Sequence, residues 1–146
     1  MIERLRQTYR HLRVGPDESI VACLPAVARP IIASMPSSDR RHALVTYATL
    51  RDAGADEELM LAGLLHDMGK PREARLWHRV AAALAPDIAS RLGKVARQYV
   101  AHAERGADMA RDLGLSDRVI GVIARHHRAP SDSDDRRLRA AERADA

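Results

Sequence analysis

Residues 57–70 read EELMLAGLLHDMGK, and within them LMLAGLLH, Leu59 to His66, is the most apolar run of the 146-residue chain. Asp56 stands in an N-cap position. Glu57 and Glu58 fill the first turn, where the positive end of the helix dipole favours carboxylates. Gly69 and Pro71 stop the element. A central, buried helix is expected, ending in the adjacent pair His66 and Asp67. A carboxylate after such a run is costly to bury unless it meets a cation or hydrogen-bond donors.

Helical signals continue on both sides. Upstream, Ser37 or Ser38 caps a helix from about residue 39, marked by Ala43, Tyr47 and Leu50 and stopped at Gly54. Downstream, one helix is expected from about Glu73 to Leu84, ahead of Pro86, and one or two more over residues 87–113, ending at Gly114. Ser116 caps another, which carries Val119, Ile120, Val122 and Ile123 to His126 and His127 at spacings of three, four and seven. Residues 129–135 read as a polar loop and RRLRAAERADA as a last helix. At the start, residues 2–13 read as a short basic helix, and Pro16-Asp17-Glu18 opens an apolar segment expected to be kinked by Pro25 and Pro30.

Composition agrees with an all-α fold. Hydrophobic residues make up 46% of the chain, yet Phe is absent and aromatics are 3%, so the core must be Ala, Leu, Val, Ile and Met. Strong helix formers dominate, and β-branched runs between turn signals are missing. No repeat or low-complexity tract divides residues 1–146, which are expected to form a single domain with residues 1–35 as a helical N-terminal extension. The formal charge is +4, but the charges are mixed in sign along the chain, so nucleic-acid binding is not implied. Cys23 is the sole cysteine, which leaves no intrachain disulfide and suits a reducing compartment. The charged start lacks a signal-peptide core, and no stretch approaches the roughly 18 apolar residues of a membrane span. A cytoplasmic protein without membrane contact is expected.

Chemistry concentrates in five histidines at or near the ends of apolar helical segments: His42, His66, His102, His126 and His127. Placed there, an imidazole can enter a shared polar cavity while the apolar face builds the core. Imidazole and carboxylate together suit Zn, Fe, Mn, Co or Ni, and the lack of thiolate argues against a soft-metal site. His11 and His78 read as structural or surface residues. His127 reads equally as a solvent-facing neighbour or a substrate contact. Glu104, two residues past His102, reads as a solvated charge, Gly106 as a close-packing position, and Met109, Ala110 and Leu113 as a core stripe. Trp77 reads as a packing residue of core or rim.

LAGLLHDMGK, residues 61–70, resembles the signature of the HD superfamily of metal-dependent phosphohydrolases, in which the paired His and Asp both reach metal. His42 in DRRHALVTYATL resembles that family's first ligand. HAERGADMARDLGL from His102 resembles the segment that supplies another histidine in the two-metal branch, VIGVIARHH places His126 at the next ligand position, and AERADA resembles the helix that ends in the last, Asp145. Residues 1–35 carry no family motif. The resemblance implies an HD-like bundle of about six or seven helices around a central metal site. His42, His66, Asp67 and Asp145 would form the basic set, with Asp67 bridging if there are two ions and His102 and His126 completing the second site. Asp132, Asp134 and Asp135 are alternatives to Asp145.

The implied activity is hydrolysis of a phosphoester or phosphoanhydride of a small, nucleotide-like molecule by metal-activated water. Lys70 is the natural cation for a substrate phosphate, and Arg72, Arg125, His127 and Arg128 are further candidates. Arg-Ala-Pro after His126-His127 lacks the acidic, glycine-rich continuation of the cyclic-dinucleotide phosphodiesterase branch. Two other classes stay open: a metal-holding regulatory or nucleotide-sensing module without turnover, and a di-iron oxygenase. Residues 1–35 leave three roles open: covering the site, pairing chains into a homo-oligomer, or completing the bundle.

Overall fold

A computed structural model describes residues 18–144. The elements are α1 (Glu18–Cys23), α2 (Arg29–Ser34), α3 (Ser37–Asp52), α4 (Glu57–Leu65), α5 (Leu76–Leu84), α6 (Pro86–Ala89), α7 (Lys94–Val100), α8 (His102–Asp112), α9 (Asp117–Arg125) and α10 (Ser133–Arg143). No strand occurs among the described residues, as expected of an all-α chain. Six helices, α3, α4, α5, α8, α9 and α10, have nine or more residues, and the other four are short. None of the described helices is long and apolar enough to cross a membrane. The expected helix over residues 2–13, His11 and Asp145 lie outside the described residues.

The decisive run behaves as its residues dictate. The Asp56 carboxylate accepts from the Leu59 amide at 3.0 Å and starts α4, which buries Leu59, Ala62, Gly63, Leu64 and Leu65. The helix ends at Leu65 with His66 as its C-cap, so His66 and Asp67 lie in the following turn. Helices α3, α9 and α10 pack around it. Ser116 caps α9 by accepting from the Val119 amide, and α9 turns Val119, Val122 and Ile123 inward. One core joins Leu24, Ala28 and Ile32 of the α1–α2 segment to Leu44, Leu50, Leu64, Leu65, Ile123 and Leu138. The first half of α10 is held by Arg125, whose guanidinium meets Asp132 at 2.9 Å and Asp135 at 3.0 Å. Asp135 is buried, and although burial opposes its ionisation, the hydrogen bond from Arg125 and those from Ser131 hold its pKa down to about 2.

Several expectations give way. Helix α3 begins at Ser37 itself behind Pro36, with no side-chain cap, because the fixed φ of Pro36 orients the entry. The segment before α5 is a turn, so that helix starts at Leu76. Residues 87–113 break into three helices because Gly93, at φ 121°, and Ala101 interrupt the course. Of the expected stripe on α8 only Ala110 is buried. Met109 and Leu113 are 38% and 41% exposed, since α8 turns its small face of Ala103, Gly106, Ala107 and Ala110 inward. Of the two places read for Trp77 the rim is the one found: it is 48% exposed and stacks on His78. Helices α5, α6 and α7 pack on one another, meet α8 through α7 and α3 through the ion pair of Arg79 with Asp39, and give no residue to the central core.

The turn after α4 meets α8 backbone to backbone. A Cβ on Gly69 would overlap the His102 carbonyl oxygen and stand 2.5 Å from the Gly106 amide nitrogen. Arg105 adds a hydrogen bond to the Gly69 carbonyl at 2.9 Å. A Cβ on Gly63 would instead meet the tip of the Leu50 side chain, which can turn aside. Gly69→Ala should therefore lower stability by about 1–3 kcal/mol or more, as overpacking against rigid atoms does, and Gly63→Ala by clearly less. Thermal unfolding of both variants checks the order; equal losses would contradict the backbone contact.

Candidate metal centre

Three imidazoles share one local device. His66 follows the last residue of α4, and its Nδ1 lies 2.7 Å from the Gly63 carbonyl oxygen. His126 follows α9 in the same way, 2.7 Å from the Ile123 oxygen. His102 opens α8, with Nδ1 2.6 Å from the Tyr99 oxygen near the end of α7. The last carbonyls of a helix lack intrahelical partners, and a carbonyl can only accept. Each Nδ1 therefore carries a ring proton, so a ring that is neutral presents a bare Nε2. The carbonyl ends of three helices also converge here, and their dipoles favour a cation.

These nitrogens face Asp67, which is 4% exposed. His102 Nε2 is 3.2 Å and His126 Nε2 3.8 Å from Asp67 Oδ1, while His66 Nε2 is 3.4 Å from Oδ2. The two oxygens of one carboxylate thus serve two groups of imidazoles. His42, His66 and Asp67 form one set and His102, His126 and His127 the other, with the ligand atoms of each within 4.8 Å of one another. The His42 and His66 rings are 5.2 Å apart, centre to centre.

The donor chemistry fits a divalent ion. His102 and His126 bring their Nε2 atoms within 3.3 Å of each other. With both protons on Nδ1, two lone pairs oppose, an arrangement that needs a proton or a cation between them. Ligands about 2.1 Å from a shared ion stand roughly 3–3.5 Å apart, the separation found here. Burial first, then the charges of His66 and His127, hold His126 down to about 3, so it stays neutral and able to ligate. Burial opposes ionisation of Asp67, but His66, the hydrogen bond with His102 and Lys70 outweigh it and keep the carboxyl well below its usual range.

Glu142 on α10, which sequence reasoning passed over, places Oε1 3.3 Å from His66 Nε2. Burial raises its pKa, the expected state of a carboxylate aimed into a closed site without a cation. The signal was present in the sequence: Glu142 belongs to the same AERADA stretch as the expected ligand Asp145. The proposed substitutes for Asp145 are committed elsewhere. Asp132 caps α10 and pairs with Arg125, Asp134 pairs with Arg118, and Asp135 pairs with Arg125.

Lys70 places Nζ 2.5 Å from Asp67 Oδ2 and 3.9 Å from Asp39 Oδ1. Asp39 is buried and also takes Arg79 at 2.5 Å; neither Asp39 nor Arg79 was singled out in the sequence, although Asp39 lies one turn before His42. A cleft of about 810 Å³ opens beside Asp67 and Lys70, with Arg72, Lys94 and Arg105 on its wall and Ile31, Met35 and Met109 as apolar lining. His127 keeps a face in solvent, and its Nε2 is 2.8 Å from His102 Nε2, where it can donate to the bare nitrogen. Arg125 does not reach the cleft, because Asp132 and Asp135 occupy its guanidinium. Arg128 is exposed beside Glu104 at 3.7 Å, away from the cleft wall. His78, expected to be structural, is buried and accepts from the Arg75 amide at the start of α5.

A family model described as HD domain matches residues 40–146, which include every residue of the cluster. No curated protein and no solved structure matches the chain.

The buried imidazoles set the acid limit of the metal-free protein. His126 is held at about 3 and His127 at about 4, against 6.5 for a free imidazole. The unfolded chain therefore takes up protons first as pH falls, so stability present above about 6.5 is lost progressively toward about 3. Asp67, depressed well below 3.8, contributes stability that is intact above about 3.8 and is lost as pH falls further, from the acid end of this window downward. Thermal unfolding of metal-free protein should show a melting temperature falling between about pH 6.5 and pH 4, with a shallower fall in His126→Gln. A melting temperature independent of pH there would contradict the burial of neutral imidazoles.

Proposed function

The chain belongs to the HD domain family, and from that premise we propose that it is a phosphohydrolase that holds divalent metal and cleaves a phosphoester or phosphoanhydride of a small, nucleotide-like molecule. The observation that carries this reading is the convergence of bare imidazole nitrogens on both oxygens of Asp67, next to a cleft that Lys70 enters. His42, His66, Asp67 and Glu142 would hold one ion of Fe, Mn, Co, Ni or Zn, and Asp67, His102 and His126 a second. Asp145 is the further ligand that the family resemblance adds. When bound, such an ion acts as a Lewis acid on a phosphoryl oxygen and lowers the pKa of a water to the neutral range.

The chain's own residues supply the rest. Asp67 orients its two oxygens toward the two imidazole groups, and the carbonyl bonds on Nδ1 keep each Nε2 in place without further reorganisation. Lys70 offers a compact ammonium to a substrate phosphate at the cleft floor, with Asp67 and Asp39 limiting its motion. Arg72, Lys94 and Arg105 give the cleft wall a positive bias for an anion. The volume far exceeds that of a phosphate, which leaves room for an organic group against Ile31 and Met35. His127, next to His102 and open to solvent, is placed to contact substrate or to exchange a proton.

The test is a phosphatase screen over nucleotides and simple phosphoesters, run with each metal on wild-type and variant protein. His66→Ala and Asp67→Ala should lose both metal and turnover. Lys70→Ala should keep the metal and lose roughly 10²–10³ in kcat, the scale of one removed transition-state donor. Full metal retention in both His66→Ala and Asp67→Ala would rule out the site, and bound metal without turnover of any phosphoester would rule out the hydrolase.

A further inference from the structure

Eight large apolar side chains stand exposed among the described residues, and six of them, Leu76, Trp77, Val80, Leu84, Ile88 and Leu92, fall within seventeen consecutive positions of α5, α6 and the turn after them. Leu84 is 81% exposed, Leu76 76% and Ile88 62%. Five of the six recur every fourth residue. Scattered exposed leucines need no explanation, whereas a patch of this size marks an interaction surface. None of the six joins the central core.

We propose that this face of α5 and α6 binds the same face of a second copy of the chain, giving a two-fold symmetric dimer. Six such side chains offer on the order of 700 Å² of apolar surface, near the roughly 800 Å² that one partner brings to a standard interface. Arg75 stands just before α5 and Asp87 just past it, between Leu84 and Ile88 of the patch. Antiparallel pairing sets each Arg75 beside Asp87 of the other copy and opposes the two helix dipoles favourably. Ala83, seven residues after Leu76 and so near the same face of α5, is exposed and lets the two helices approach closely. The pairing would also steady the α5–α7 unit, which sends Arg79 to Asp39 and places Lys94 and Gln98 on the cleft wall.

Sedimentation velocity of the metal-loaded full chain over a range of concentrations tests this. Wild-type protein should sediment at twice the 16.1 kDa chain mass. Leu84→Glu and Ile88→Glu should each raise the dimer midpoint about 30-fold or more, the scale of an interface hot spot. Leu113→Glu, an equally simple change on an exposed leucine of α8, should leave the midpoint unchanged. Circular dichroism establishes that each variant is folded, and Leu84→Ala, which introduces no charge, should weaken the dimer to a smaller degree if either Glu variant fails to fold. A wild-type monomer at all concentrations would overturn the proposal, whether or not it binds lipid vesicles. So would a dimer whose midpoint neither Leu84→Glu nor Leu84→Ala moves.

Discussion

A hydrogen bond from an imidazole Nδ1 to the carbonyl three residues earlier governs the centre of this protein. It occurs at His66, His102 and His126, each time at the carbonyl end of a helix. It fixes ring orientation and tautomer together, so three Nε2 lone pairs must point away from their own helices and toward Asp67. Turning any ring over would leave its carbonyl unmatched and move its proton into the cluster.

That device works only if the helix ends meet, and the packing is arranged for it. Helix α4 lies among α3, α9 and α10 on an aliphatic core, which places His66 and His126 side by side with ring centres 5.1 Å apart. Gly69 and Gly106 let the turn carrying Asp67 touch α8 directly, which draws in His102. Larger residues there would separate His102 from Asp67 without altering a single ligand. The peripheral contributions are of a different kind: Arg118 ties Asp56, Glu58 and Asp134 together at the surface, where ion pairs add little individually, while Arg125 neutralises the buried Asp135.

The run LMLAGLLH and the caps at Asp56 and Ser116 were legible in the sequence because they depend on local rules: periodicity, dipole and side-chain capping. The convergence of His42, His66, His102 and His126 was legible as a joint pattern of residue types at helix ends. What was hidden depended on tertiary packing. Glu142 sits in an arginine-rich helix whose inward face is set by contact with α3 and α4, and Asp39 looks like an ordinary first-turn acid until Arg79 arrives from forty residues away. Arg125 reads as a phosphate ligand until Asp135 claims it. The exposure of Leu76, Leu84 and Ile88 was likewise hidden, because it follows from α5, α6 and α7 standing outside the central core.

The most direct measurement is elemental analysis of the purified wild-type protein after loading with Mn, Fe, Co, Ni or Zn and removal of unbound ions. At least one tightly held divalent ion per chain is expected, because imidazole nitrogens face both oxygens of Asp67, and the two imidazole groups leave room for a second. Absence of stoichiometric metal under every loading condition would contradict this reading and leave the cluster a polar core held by protons alone.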